Sequence, residues 1–240
     1  MAEANAFDVE ALLFDVFGTV VDWRSSLQRW LQRFGRENKY EADWTALVDD
    51  WRAEYEPSMA KVRKGERPYV TLDVLHRESL DTLLAKYGVD KMLDSEREQI
   101  ARVWRWLDPW PDTVAGLTRL KRKYVIGTLS NGGVGLLTDM AKYSGLAWDV
   151  VLSADVFRHY KPDAAVYLGA AEMLARPTSA VMLVAAHNYD LGAARSHGYR
   201  TAFVSRPTEY GPRQKKDFGP EDAWDYVATN MEELAEKMGA

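Results

Sequence analysis

Short apolar, β-branched runs punctuate the chain at residues 11–14, 124–129, 150–152, 181–185 and 201–204, with a weaker run at 226–228. Runs this short, apolar without alternation, are the pattern of strands buried on both faces of a parallel sheet. Residues 113–121, 134–143, 164–174 and 191–197 carry apolar positions at helical spacing between them. Each strand from 124 onward is therefore expected to be followed by a helix of about 8 to 12 residues, which predicts a doubly wound α/β sheet.

The alternation has one gap. From Asp22 to about Arg105 no strand pattern occurs, and apolar residues recur at helical spacing: Leu27, Trp30, Leu31 and Phe34, then Leu72, Leu75, Leu80, Leu83 and Leu84. This stretch predicts roughly four helices inserted after the first strand. Asp108-Pro109-Trp110-Pro111-Asp112 marks the return, because its two prolines end a helix and stiffen a linker. The expected layout is an α/β core of residues 1–20 and 107–240 with a helical cap over 21–106. There is no internal repeat and no low-complexity segment.

Composition narrows the function. With 240 residues, 47 % apolar, the chain can bury a sizeable core. The net charge of -5 and two short basic runs, KRK at 121–123 and RQKK at 213–216, give no nucleic-acid surface, and both runs read as solvated faces. The absence of cysteine excludes disulfides and thiolate chemistry, and makes the reducing cytosol the simplest home. The N-terminus MAEANAFDVEA lacks a charged-then-apolar leader pattern, and no apolar run approaches the roughly 20 residues that span a bilayer.

Open α/β sheets bind ligands beyond the carboxyl ends of their strands. There the sequence places Asp15 and, one turn on, Thr19; then Ser130, Asn131 and Gly132; then Lys161-Pro162-Asp163; then His187 to Asp190. Four strand ends thus bring a carboxylate, a hydroxyl with an amide, an ammonium and a second carboxylate to one rim. Any one of these alone reads as a helix cap or a surface group.

Asp15 with Gly18-Thr19, Ser130-Asn131, Lys161-Pro162-Asp163 and Asp190 resemble, in order and spacing, the four motifs of the haloacid dehalogenase superfamily. The resemblance implies its α/β core with an inserted cap. Most members are Mg²⁺-dependent phosphatases, and this chain departs from them twice. They carry a general acid two residues after the nucleophile, where Phe17 stands, and an Asp ligand for Mg²⁺ where Ala186 stands. A halide needs neither: it leaves as a stable anion, and its substrate has no phosphate to neutralise. Together with Trp51-Arg52, the chain is similar in detail to the L-2-haloacid dehalogenase subgroup. That subgroup converts short (S)-2-haloalkanoates to (R)-2-hydroxy acids through an aspartyl ester, without metal or other cofactor.

The resemblance assigns expected roles. Asp15 is the nucleophile, and Lys161 keeps it ionised and stabilises the oxyanion. Thr19 and Ser130 position Asp15 or the substrate carboxylate, with Asn131 completing a carboxylate cradle. Arg52 is the candidate for the departing halide. Asp190 orients the hydrolytic water or holds Lys161. His187 departs from the Asn of many members, and Ala185 from their Ser; the imidazole is a candidate halide donor, a base for water, or a structural group. Val16, Phe17, Tyr167 and Tyr189 are expected to wall the substrate pocket, and most tryptophans to pack the core or cap, with Trp51 a possible exception. The subgroup further implies a homodimer acting on a small haloalkanoate and releasing halide. Two other readings remain open from residues alone: a phosphatase with a degraded acid and Mg²⁺ site, and a non-catalytic protein of this fold that binds a small carboxylate.

Overall fold

The computed structural model describes residues 8–240. Residues 1–7, counted above in the core and in the N-terminus without a leader, lie outside the described residues.

Strand β1 (Ala11–Phe14) is followed by five helices before the next strand: α1 (Trp23–Asn38), α2 (Trp44–Ala53), α3 (Tyr55–Arg63), α4 (Leu72–Lys86) and α5 (Asp94–Ala101). A 3₁₀ turn, Arg102–Arg105, precedes the proline linker. The chain then runs through α6 (Thr113–Leu120), β2 (Val125–Ser130), α7 (Val134–Ser144), β3 (Val150–Ser153), the single turn α8 (Ala154–Phe157) and α9 (Ala164–Met173). It finishes with β4 (Val181–Ala185), α10 (Asn188–Ser196), β5 (Arg200–Val204), β6 (Tyr226–Ala228) and α11 (Met231–Lys237).

The six strands form one parallel sheet in the order β3-β2-β1-β4-β5-β6. Successive side chains of β1 point to opposite faces. Leu12 and Phe14 join an apolar cluster that continues through Ile126, Met182 and Val184 into α1–α5. Ala11 and Leu13 join a second cluster with Leu183, Ala185 and residues of α9 and α10. Both faces are thus covered, which is why these strands read as continuous apolar runs rather than alternating ones.

Sequence signals set the element ends. Asp22 caps α1 by accepting from the Ser25 amide at 3.0 Å, and Asn230 caps α11 through the Glu233 amide at 2.8 Å. Helix α10 begins at Asn188, three residues before the expected start. The expectation that every later strand is followed by a helix fails at β5. Residues 205–225 contain only the short 3₁₀ turn Gly211–Arg213. Pro207, Gly211, Pro212, Gly219 and Pro220 interrupt any helical run there.

The sheet order fixes the functional position. Phe14 pairs laterally with Thr128 of β2 and with Val184 of β4. The chain leaves β2 and β4 on either side of Asp15, at the point where strand order reverses, and this is where such sheets open a crevice. Among the described residues no helix is long and apolar enough to cross a membrane.

Candidate active site

Asp15 follows β1 directly, 8 % exposed, and each carboxylate oxygen is held. Oδ2 accepts from Thr19 Oγ1 at 2.8 Å and lies 3.0 Å from His187 Nδ1. Oδ1 accepts from Lys161 Nζ at 3.1 Å. Thr19 is itself fixed, because its hydroxyl accepts from the Ala186 amide at 2.9 Å. Burial alone would raise the Asp15 pKa. The Lys161 charge, the His187 ring and the Thr19 hydroxyl outweigh it and hold the carboxyl well below the usual carboxylate range. Asp15 is therefore an ionised carboxylate largely stripped of water, the state a carboxylate nucleophile needs.

Lys161 is buried between two acids, Asp15 and Asp190, and donates to both. Burial would lower its pKa, but the two carboxylates reverse this and raise it, so the ammonium is a fixed positive charge. Its backbone N–H donates to Asn131 Oδ1 at 2.7 Å, which ties the β2 loop to the Lys161 loop. Asp190 receives a second bond from the Tyr167 hydroxyl at 2.6 Å. Tyr167 was expected in the pocket wall and is not there. It is fully buried on α9, behind Asp190, and orients that carboxylate. Ser130 is also fully buried, and its Oγ accepts from its own loop, at the Gly132 amide, 3.2 Å away.

His187 lies between two acids. Opposite Asp15, its Nε2 is 2.9 Å from Oε2 of Glu209, a residue 1 % exposed. Burial opposes a charge on the ring, but Glu209 and Asp15 raise the His187 pKa well above its ordinary value. Burial likewise opposes ionisation of Glu209, and the imidazolium reverses this, lowering the Glu209 pKa. Glu209 accepts a further bond from Trp23 Nε1 at 2.9 Å. It belongs to the loop that replaces a helix after β5. Arg206 anchors that loop, bonding the Thr19 carbonyl through Nε at 3.0 Å and both oxygens of Asp112 at 2.9 and 2.8 Å. The Glu209 carboxylate packs on Gly18, whose φ is +88°; a Cβ there would lie 2.2 Å from Glu209 Oε1. Gly18 is thus required for both its backbone angle and its lack of a side chain.

Outside these groups opens a cavity of about 910 Å³ walled by Trp23, Arg52, Tyr55, Pro162, Tyr189 and Tyr210 among others. Tyr189, from the first turn of α10, is a wall residue as expected and packs on the His187 ring at 5.9 Å. Val16 and Phe17 are buried behind the wall; the Phe17 ring meets Tyr55 and Trp104 edge-on at 6.3 and 5.7 Å. The Arg52 guanidinium stands 4.2 Å over Tyr55 and 5.5 Å from Trp23, and its Nε is buried without a hydrogen-bond partner. A guanidinium in a cavity wall with a donor left unpaired suits an anion. Tyr55 lines the same wall, its ring under the Arg52 guanidinium. Trp51 is buried packing, its indole N–H bonded to the His76 carbonyl at 3.0 Å.

Sequence reasoning missed Glu209, Tyr55 and Trp23. No spacing marks them, since Glu209 meets His187 across 22 residues and Trp23 across 186.

Mg²⁺, common among the phosphatases that share these motifs, demands several oxygen donors in octahedral array. Here an ammonium bridges the two carboxylates that would contribute, and Ala186 offers no side-chain oxygen. The residues present do not fit the ion.

Comparison with known proteins agrees with this geometry. Residues 9–198 match the family model of the haloacid dehalogenase-like hydrolases. The chain is 28 % identical over 235 residues to (S)-2-haloacid dehalogenase 4A of Burkholderia cepacia, covering 95 % of this chain and 98 % of the relative. It is 47 % identical to the crystal structure of the defluorinating L-2-haloacid dehalogenase Rha0230, with a TM-score of 0.94 and coverage of 97 % and 96 %. The L-2-haloacid dehalogenase PA0810 is likewise 47 % identical, with a TM-score of 0.94 and coverage of 96 % and 99 %. The chain belongs to the haloacid dehalogenase-like hydrolases and, within them, to the L-2-haloacid dehalogenase subgroup.

Proposed function

We infer that this chain hydrolyses short (S)-2-haloalkanoates to (R)-2-hydroxy acids through an ester on Asp15. The observation that carries the reading is the Asp15 carboxylate, buried, ionised and held by Lys161, Thr19 and His187. One carboxylate oxygen attacks C2 from the side opposite the halogen. The C–O bond forms as the C–X bond breaks, and the halide leaves with the bonding pair toward the Arg52 guanidinium. Ester formation removes the negative charge of Asp15. His187 then keeps only one of the two acids that raised its pKa, and its second proton leaves to solvent. The neutral ring donates from Nε2 to Glu209, and Nδ1 takes a proton from the water that attacks the ester carbonyl carbon. Lys161 stabilises the oxyanion as it forms and collapses. Net, haloacid and water give hydroxy acid, halide and a proton.

His187 accordingly serves as base and Glu209 positions it, while Asp190 holds Lys161. In this reading the helices of 21–106 form a cap over a core of 1–20 and 107–240, and the cap supplies Arg52 and Tyr55. The subgroup resemblance supports a homodimer, testable by sedimentation, and the cysteine-free composition supports a cytosolic home.

The test is halide release from racemic 2-chloropropionate with EDTA present, followed by chiral analysis. Release from half the substrate with D-lactate as product is expected. Turnover that requires Mg²⁺ and a phosphate ester would overturn the reading. One turnover in heavy-oxygen water should leave the label in Asp15, and label found directly in product would exclude the ester.

A further inference from the structure

The cavity above Asp15 is much larger than the substrate so far considered. At about 910 Å³ it is of a size that elsewhere holds drug-sized ligands, whereas a three-carbon haloacid fills a small part of it. Its charge is also one-sided. The wall carries five cationic side chains against two carboxylates, in a chain whose net charge is -5.

The ion pairs around it show which charges are free. Arg63 pairs with Glu56. Arg213 lies 3.4 Å from Asp49 and 3.6 Å from Asp50. Arg52 faces the halide position in the reading above. Lys215 and Lys216 remain, and neither has an ion pair among the described residues. Lys216 Nζ stands 5.4 Å from the Tyr189 ring, so it overhangs the same wall that covers His187.

These two lysines are not on a loose strand. Buried neighbours pin the backbone on both sides of them. Gln214 Nε2 donates to the Arg206 carbonyl at 3.2 Å, and its Oε1 accepts from the Tyr210 amide at 3.0 Å. Asp217 Oδ1 accepts from the Asn188 amide and from Asn188 Nδ2, both at 2.9 Å. Asn188 directly follows His187, so the loop is registered on the active site. A loop anchored on both sides that presents two unpaired cations over a reaction cleft has the build of a binding element. In the dehalogenase reading the α-carboxylate needs no help from it, because the β2 loop at Ser130 and Asn131 is its cradle.

We propose that Lys215 and Lys216 bind a second anionic group, remote from C2, so that the chain acts on 2-haloacids carrying a distal carboxylate. The inference rests on the dehalogenase reading and adds a substrate class to it. Rim cations that merely steered anions inward would favour every dianion alike, whatever its length. A held distal carboxylate favours the dianion of matched length.

The experiment compares halide release from 2-chloropropionate, 2-chlorohexanoate, 2-chlorobutanedioate and 2-chlorohexanedioate by the whole protein and by its Lys215→Gln/Lys216→Gln variant. The native chain should process 2-chlorohexanedioate with a kcat/KM at least equal to that for 2-chlorohexanoate. The variant should lose roughly tenfold on that dianion and under about threefold on 2-chlorobutanedioate and the monoanions, as expected for two exposed charge contacts. Salt should erode the preference, since screening acts over about 8 Å at physiological strength. Equal losses on both dianions would reduce the lysines to steering and overturn the proposal. So would halide from 2-chloropropionate with none from either dianion. Halide from no acid at all would bring down the dehalogenase reading itself, and this inference with it.

Discussion

Nδ1 of His187 stands 3.0 Å from the Asp15 carboxylate, and the opposite ring nitrogen is 2.9 Å from Glu209. An imidazole with an acid at each end is charged at rest, and it becomes a base only when one acid is neutralised. In this site the first chemical step neutralises Asp15. In the proposed mechanism the base for the second step is therefore armed by the first.

Replacing Glu209 with Gln should lower the pKa of His187, because Glu209 is the largest favourable influence on the charged ring. The ring should titrate at lower pH, read by NMR of the His187 ring carbons. kcat should fall by about 10-fold or more, general-base contributions being on the order of 10²–10⁴. A His187 titration unmoved by the substitution would show that the contact carries no energy.

His187→Ala should separate the two half-reactions. Attack by Asp15 needs no proton transfer, so halide should still appear as a burst of about one equivalent per site. Steady turnover should fall by on the order of 10²–10⁴, and protein mass should rise by that of the bound carboxyalkyl group. Loss of the burst along with turnover would assign His187 to halide departure instead.

Gly18→Ala tests the packing of Glu209. At Gly65, φ is +71° but nothing lies within 4 Å of an added Cβ, so Gly65→Ala carries the backbone cost alone, about 1 kcal/mol. Gly18→Ala meets the same backbone cost plus the Glu209 carboxylate. It should destabilise by about 1–3 kcal/mol more and depress kcat. Equal stabilities of the two variants in urea would show that Glu209 can step aside freely.

His76 makes helix α4 acid-sensitive. Both ring nitrogens are buried without partners, the ring stacks on Trp104 at 4.3 Å, and burial with the Arg52 charge pushes its pKa down to about 3. The unfolded chain, at the ordinary histidine value, binds the proton more readily. The stability this neutral ring provides is thus present above about pH 6.5 and is lost as pH falls toward about 3. Asp15 and Glu209, with depressed values, lose their contributions only below the ordinary carboxylate range, and His187, raised, only above pH 6.5. Between about pH 4.5 and 6.5 the slope belongs to His76 among these groups. His76→Phe should flatten it in urea titrations, and an unchanged slope would place the sensitivity elsewhere.

The strands and the convergence of Asp15, Thr19, Lys161 and Asp190 were legible because both follow from one-dimensional patterns. Buried strands are continuous apolar runs, and a residue just past a strand end can point only into the crevice. Tyr167 was misplaced because spacing along α9 does not say which residue faces the cavity and which faces Asp190. The loop after β5 was read as part of a regular alternation, although Pro207, Gly211 and Pro212 stand against a helix. Glu209 was invisible for a different reason. An acid in a polar loop looks solvated until the fold brings it under His187 and Trp23, and nothing local records that burial. The basic run at 213–216 was set aside as a solvated face on the same grounds.

The family match ends at residue 198, and the loop that carries Glu209, Lys215 and Lys216 begins after it. In the proposed mechanism, reaction chemistry and its tuning occupy separate stretches of chain: a shared frame delivers the nucleophile, and a short strap sets how the base is charged and what enters. Exchanging 205–217 between relatives is then a transplant of selectivity, provided that Gly18 and Asn188, the strap's points of attachment, travel with it.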